Sequence, residues 1–432
     1  MKILFISNDL IAGNLSKILK DEGHDVKLFI KSKYQRDNLD HIVTKTKNWK
    51  KELNWVGKDG LIIFDDTGFG KEQTKLRKLG YTVYGGNEKS DELENERQRA
   101  QEIFKENNIT IFPIIDFKNV HEALEYAIEN PKCWVIKQND TAPKTLNYVG
   151  EFDDGRDVVS VLKSYLMDKT INRTKISLQE RIRGVEIAVG GYFNGKDWVG
   201  PIDFNIEHKK FFPGDIGPTT SEMGTVAWYE DEKDDKKIFK ETLAKIAPYL
   251  RAIDFRGHFD INCIVNEKGI FPLEATPRFG SPIVHLHSAL QKSPWGELLY
   301  AIAKGEQYDL KCEKGFGLVV LIALPPFPYM KRSTKMYSHN PDIFFKNITE
   351  EDKKHLHFEE VSKNIDKEEY YVSDYRGYVL YVTGVEKTLA EAIKSTYKRI
   401  DKIIIPKMIY RNDIGQRFLD RDMQRLKDWG YM

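Results

Sequence analysis

Residues 259–280, FDINCIVNEKGIFPLEATPRFG, read as a β-hairpin with two carboxylates in unexpected places. Phe259, Ile261, Ile264 and Val265 make an apolar, β-branched run, Asn266 to Gly269 a turn, and Ile270, Phe271 and Leu273 a returning strand. Asp260 interrupts the first run and Glu274 closes the second, with Thr276, Pro277 and Arg278 directly behind. Carboxylates are seldom buried unless something pairs with them. Two of them on neighbouring strands therefore either stand apart in solvent or hold a cation. Oxygen ligands of this kind suit Mg²⁺, which uses one or two carboxylates together with substrate phosphates. Arg278 adds a planar fork of donors that matches phosphate or acyl phosphate.

The rest of the chain narrows the class. Its 432 residues exceed what one core serves, so several domains or subdomains are expected. Lys and Arg number 67 against 66 Asp and Glu, so no overall basic bias points to nucleic acid. Three scattered cysteines form neither a disulfide framework nor a zinc pattern, which suits a reducing cytoplasm. The opening MKILFI has no charged-then-apolar leader, and no apolar run reaches the length of a membrane span. The expectation is a soluble cytoplasmic protein.

Residues 1–30 alternate strand, helix, strand, and GLIIFDD at 60–66 and YTVYGG at 81–86 continue an open α/β sheet. NEKSDELENERQRAQEIFKENNI then reads as one charged helix. From about 111 to 305 strands and helices mix, including WVIKQ, SLQERIRGVEIAVGGYF and the helix KKIFKETLAKIAPYLRAI. The remainder opens with GFGLVVLIALPPFPY and carries the strand GYVLYVTGVE and the amphipathic helix TLAEAIKSTYKRIDKII.

Other side chains carry weaker chemistry. Lys137 ends an apolar strand, where it could neutralise a phosphate or simply reach solvent. Glu186 follows a Gly184 turn and could accept from ribose hydroxyls or lie on a surface strand. The loop EHKKFFPGDIGPTTSEMGTVAWY, 207–229, is long and rich in Gly, Thr and Pro, the composition of a functional loop, and its aromatics argue against disorder. His285 and His287 alternate in VHLHS, along an apparent strand or turn, with no third metal ligand near in sequence.

Taken in order, these pieces resemble the ATP-grasp enzymes and, within them, the phosphoribosylamine–glycine ligase family. The hairpin looks like the family's metal-and-phosphate hairpin, Asp260 and Glu274 matching the magnesium ligands, Thr276 standing at a ligand position usually held by asparagine, and RFG intact at 278–280. HKK…GDIGPTTSEMG resembles the substrate-recognition loop, although Ser221 and Glu222 replace two glycines. Arg97 stands at the position of a phosphate-facing lysine, VIK with Lys137 matches the nucleotide strand, and QERIRGVEIAV matches the adenine hinge and ribose carboxylate.

The resemblance implies an α/β (α+β overall) architecture: an ATP-grasp fold preceded by an open α/β N-terminal domain and followed by a small mixed C-terminal domain. The expected divisions are 1–110, 111–305 with a nucleotide lid at about 115–185, and 306–432. It implies a ligase that forms glycinamide ribonucleotide, ADP and phosphate in purine synthesis, or joins another acid and amine; a non-catalytic nucleotide-binding protein is the third reading, against which Asp260, Glu274 and Arg278 together argue. Its cofactors would be ATP and Mg²⁺, with Mn²⁺ as the other metal that suits such ligands. Metal would be held by Asp260, Glu274 and Thr276, and the nucleotide by Arg97, Lys137, Lys144, Glu180, Ile182 and Glu186. Arg278 would be catalytic at the acyl phosphate, and His208, Lys210, Gly217, Pro218, Thr219 and Thr220 would bind substrate. Partners would be small molecules, glycine and phosphoribosylamine or a related pair, with no nucleic acid or membrane; the protein would be a monomer or small homo-oligomer.

Two departures stand out. The loop after Lys137, QNDTAPKTLNYVG, has little of the glycine that lets backbone N–H groups approach phosphates. The first turn, SNDLIAGN, lacks the family's glycine-rich sequence and its Arg-Glu-His.

Overall fold

The computed structural model describes residues 1–138, 147–329, 340–367, 369–374 and 376–432. The apolar run KILFI becomes β1 (Lys2–Ser7), buried along all but its first residue, as the centre of a parallel sheet requires. β2 (Asp25–Ile30), β3 (Thr44–Lys45), β4 (Leu61–Phe64) and β5 (Thr82–Tyr84) complete that sheet in the order β3-β2-β1-β4-β5, with every pairing parallel.

The charged segment 88–106 is two helices, not one. Asn87 caps Glu88–Asn95 in a reciprocal capping box with Ser90. Glu96 then leaves helical geometry at φ −121° and ψ 86°, and a second helix runs Arg97–Glu106. Likewise KKIFKETLAKIAPYLRAI breaks at Thr242 into Lys237–Glu241 and Leu243–Ala252. VHLHS lies in the helix Ile283–Leu290 rather than in a strand or turn.

A four-stranded sheet, β6 (Ile114–Phe117), β7 (Trp134–Gln138), β8 (Tyr148–Val149) and β9 (Ile176–Glu180), is ordered β6-β9-β7-β8. With the helices Val120–Glu129 and Arg156–Met167 it encloses a core of its own around Leu124, Trp134, Ile136, Leu162 and Leu178.

The largest sheet is antiparallel and has eight strands. It uses β10 (Val185–Asn194), β11 (Trp198–Glu207), β14 (Gly224–Glu230), β15 (Arg256–Asn266), β16 (Gly269–Thr276), β17 (Phe316–Ala323), β19 (Leu356–Phe358) and β22 (Tyr378–Glu386), ordered β16-β15-β10-β11-β14-β17-β22-β19. Between β11 and β14 a separate hairpin, β12 (Lys210–Phe212) with β13 (Ile216–Thr219), projects from the sheet. β18 (Asp342–Phe345), β20 (Val361–Lys363), β21 (Tyr370–Val372) and β23 (Ile403–Ile404) make a small sheet beyond it. Strands on both sides of residue 305 thus share the eight-stranded sheet, and one continuous apolar core joins it to the parallel sheet.

Candidate active site

β15 and β16 form the expected hairpin, and their register determines which side chains meet. Asp260 stands opposite Thr276, and Asn262 opposite Glu274, with a bulge just after Asn262. Directly paired residues of an antiparallel ladder share a face. On the other side of β15, Asp260 pairs with Gly190 and Asn262 with Ala188 of β10. These in turn pair with Asp203 and Asn205 of β11. Small residues on the central strand leave room above it, and Asn205 uses that room: its Nδ2 donates to Asp260 Oδ2 at 3.2 Å. Two residues further along each strand, Glu186 and Glu207 extend the same polar face.

One ammonium lies among these acids. Lys209 Nζ is 2.7 Å from Glu186 Oε1, 2.8 Å from Glu207 Oε2 and 3.8 Å from Glu274 Oε1. Burial pulls the lysine pKa down, but Glu186, Glu207 and Glu274 outweigh it and hold the group well above its ordinary value. The opposite holds for Asp260. Burial, followed by the charges of Asp203 and Glu207, drives its pKa well above the usual carboxylate range. Glu222 is raised for the same reasons, burial first and the Glu207 charge next, and it accepts a hydrogen bond from Thr225. The face carries more negative charge than Lys209 neutralises, which is the demand a bound cation meets.

Arg278 leaves the hairpin toward the parallel sheet. Its Nη2 is 2.6 Å and its Nε 3.1 Å from Glu94 Oε1, with Asp66 Oδ1 at 3.5 Å. Desolvation lowers its pKa, and Glu94 and Asp66 more than restore it.

The hairpin β12–β13 is fixed from beneath. Arg411, almost fully buried, donates to Lys210 O at 2.9 Å and to Asp215 Oδ1 at 2.8 Å. Thr220 donates through its backbone N and its hydroxyl to Lys209 O, at 2.7 and 2.8 Å, and so anchors the residue whose ammonium meets the carboxylates. Lys210 pairs with Thr219, both half-buried, and Pro218 is half-buried beside an exposed Gly217. Gly217 adopts φ 82°, and a Cβ there would lie 2.5 Å from the Phe212 ring, so the turn needs glycine. His208 lies against the C-terminal segment, where its Nε2 accepts from the Gly415 N–H at 3.2 Å. Burial, helped by Arg417 and Arg411, lowers its pKa to about 4.

The structure therefore brings Asp260, Glu274, Thr276 and Glu186 onto one face. Lys137 is on β7 opposite Ser177, in the four-stranded sheet. Glu180 ends β9, exposed and 2.9 Å from Lys132 Nζ, and Ile182 is half-buried in the link to β10. Lys144 and the side chain of Arg97 lie outside the described residues.

Sequence reasoning missed Asn262, Glu207 and Lys209. A signal for Glu207 existed on β11: in PIDFNIE, Asp203, Asn205 and Glu207 alternate with Ile202, Phe204 and Ile206, a polar face with period two.

Residues 95–284 match the family model described as phosphoribosylglycinamide synthetase, ATP-grasp (A) domain. The segment has the ATP-grasp fold. The phosphoribosylamine–glycine ligase of Clostridium acetobutylicum is 25% identical over 352 residues, 79% of this chain and 80% of that protein. The ligase of the same name from Lactococcus lactis is 26% identical over 353 residues, 79% of each chain. Among solved structures, phosphoribosylamine–glycine ligase of Thermotoga maritima superposes with a TM-score of 0.72 at 17% identity, covering 96% of this chain and 100% of the other. A Campylobacter jejuni biotin carboxylase shares the fold at a TM-score of 0.62 and 12% identity, over 94% of this chain and 92% of that one. The α/β architecture with its ATP-grasp domain agrees with the sequence expectation. The chain is an ATP-dependent ligase that forms a carbon–nitrogen bond. Among the described residues no helix is long and apolar enough to cross a membrane.

Proposed function

We propose that this ATP-grasp ligase joins glycine to phosphoribosylamine, giving glycinamide ribonucleotide, ADP and phosphate. The observation that carries the reading is the crowding of Glu186, Glu207, Asp260 and Glu274 on one sheet face, in a segment that matches the phosphoribosylglycinamide synthetase family model. Asp260 and Glu274 would hold Mg²⁺ or Mn²⁺, with Thr276 and Asn262 as further oxygen donors beside them. The fit rests on Asp260: a buried carboxyl group, pushed up by burial and by neighbouring acids, gains most from a divalent cation. When bound, the metal neutralises the charge of the ATP phosphates.

The chain's own residues do the remaining work. Lys137, Lys144 and Arg97 neutralise phosphates, while Glu180, Ile182 and Glu186 receive the adenosine. The glycine carboxylate attacks the γ-phosphorus and ADP leaves, forming an acyl phosphate that Arg278 steadies. The amine then attacks the acyl carbon, phosphate departs, and the surplus proton goes to solvent. His208, Lys210, Gly217, Pro218, Thr219 and Thr220 make the substrate loop, in which His208 and Thr220 hold the backbone and leave Lys209 facing the acids. Catalysis is positioning and charge neutralisation, with no protein nucleophile. The working divisions are 1–110, 111–305 and 306–432, in a cytoplasmic monomer or small homo-oligomer.

A second reading, a ligase of this architecture using another acid or amine, has one observation in its favour. The N–H of Ala12, before the helix Gly13–Asp21, donates to Asp65 Oδ2 at 3.0 Å, and Ser7 Oγ donates to the same oxygen at 2.9 Å. A helix start that elsewhere welcomes phosphate is here met by the protein's own carboxyl group. ADP release separates the readings. Release that needs both glycine and phosphoribosylamine establishes the first; release with another acid–amine pair, and none with these, establishes the second.

A further inference from the structure

A group of side chains next to the carboxylate face has no part in the reaction above. Asp203 of β11, His258 of β15 and His287 of the helix Ile283–Leu290 converge with their ligand atoms within 4.8 Å of one another. All three are buried. His258 Nε2 is 3.0 Å from Asp203 Oδ2, and His287 Nε2 is 3.3 Å from Asp203 Oδ1. The second contact is close enough for the two groups to interact but lacks the geometry of a well-formed hydrogen bond, and His258 Nδ1 has no hydrogen-bond partner either. Buried polar atoms left this way are costly unless something else satisfies them.

The fold makes room for this group. Gly190 of β10 pairs with Asp203 on one side and Asp260 on the other. A Cβ at Gly190 would lie 2.8 Å from His258 Cε1 and 3.0 Å from Asp203 Oδ2, so the missing side chain is what lets histidine and aspartate meet across the strand. The Tyr192 hydroxyl lies 3.5 Å from His287 Nδ1, the nitrogen that does not face Asp203, and so bears on the tautomer of that ring.

We propose that Asp203, His258 and His287 form a buried binding site for a divalent transition-metal ion of the zinc class, distinct from the ATP-associated cation. Two imidazoles and a carboxylate are the donors that zinc, cobalt and nickel take, whereas magnesium prefers oxygen. Metal–ligand bonds of about 2.0–2.2 Å at tetrahedral angles separate donor atoms by roughly 3.3 Å. The contacts of 3.0 and 3.3 Å run to the two different oxygens of Asp203, and one ligand atom from each residue lies within 4.8 Å of the others, so a small closing movement brings the three donors to that spacing. The ion would tie β11, β15 and the helix after the hairpin together, and so brace the strand that carries Asp260.

Cobalt provides the test. The full chain, without a histidine tag, is stripped with chelator and titrated with Co²⁺ in excess Mg²⁺, while visible absorption and bound metal are read. Uptake of about one Co²⁺ per chain, with the intense ligand-field bands of low coordination number, is expected. Glu274→Ala should keep the bands, and His258→Gln and His287→Gln should each lose them. Failure of wild type to take up Co²⁺, persistence of the bands in both histidine variants, or their loss in Glu274→Ala would overturn the site and leave a buried hydrogen-bonded cluster. The wild-type titration decides even where a histidine variant does not fold, and it requires no catalytic turnover.

Discussion

Lys209 donates to Glu186 across 2.7 Å, joining the residues that follow β11 to the strand β10 through a charge-assisted bond. Lysine and glutamate are each about one-third exposed, at 30% and 35%, so the pair is partly screened by solvent. Lys209→Met removes the ammonium and leaves Glu186, Glu207 and Glu274 to repel one another. Stability of the ligand-free protein should fall by about 1 kcal/mol, and ADP formation by about 10²-fold or more. Urea unfolding and steady-state assays read the two effects separately.

Glu274 and Asn262 stand opposite each other at the bulge of the hairpin. Glu274 is exposed, so Glu274→Ala should change the unfolding free energy by no more than about 0.5 kcal/mol while abolishing ATP turnover. Asn262→Ala should weaken turnover by about 10²-fold at near-normal ATP affinity. Normal turnover by either folded variant removes that residue from the reaction.

The hairpin itself was legible because its β-branched runs and its turn lie within one short stretch. Its partnership was not. The register from Asn266 and Gly269 to Cys263 and Pro272, carried on unbroken, would set Glu274 against Ile261; the bulge after Asn262 shifts it, sets Glu274 against Asn262 and so brings it onto the face of Asp260. Lys209 was hidden for another reason: two lysines stand side by side, and only the position of β10 shows which one meets the carboxylates. VHLHS alternates as a strand would, yet it is helical, and the partners of His287 come from β11 and β15, far away in sequence. The break at Glu96 has no glycine or proline to announce it. Local patterns marked the elements; long-range pairing chose the faces.

Arg278 reaches from the hairpin to Glu94, with its Nη2 at 2.6 Å. Arg278→Met leaves a largely buried glutamate without its partner, and the cost should be about 2 kcal/mol in chemical unfolding. A merely structural arginine would change kcat little once the protein is folded. The proposed role at the acyl phosphate instead predicts a kcat lower by about 10²-fold, with the KM for ATP nearly unchanged.

His208 supplies a pH dependence. Burial, with Arg417 and Arg411, lowers its pKa from 6.5 to about 4. The unfolded chain therefore takes up a proton near pH 6.5 that the folded chain refuses until about pH 4. The stability this neutral ring contributes is complete above pH 6.5 and is lost as pH falls toward 4. His208→Gln keeps an acceptor for the Gly415 N–H but does not titrate. Between pH 6.5 and 4, wild type should lose up to about 3 kcal/mol relative to the variant. Parallel stability curves for the two proteins would contradict this.

The central claim is that a substrate carboxylate is activated by the γ-phosphate of ATP on the carboxylate face of the eight-stranded sheet. Turnover of glycine carrying ¹⁸O in its carboxylate, with ATP, Mg²⁺ and phosphoribosylamine, tests it most directly. The account predicts that each phosphate released carries one oxygen from glycine, because the acyl phosphate must break between that oxygen and the carbon. Amide product formed together with phosphate free of the label would contradict it.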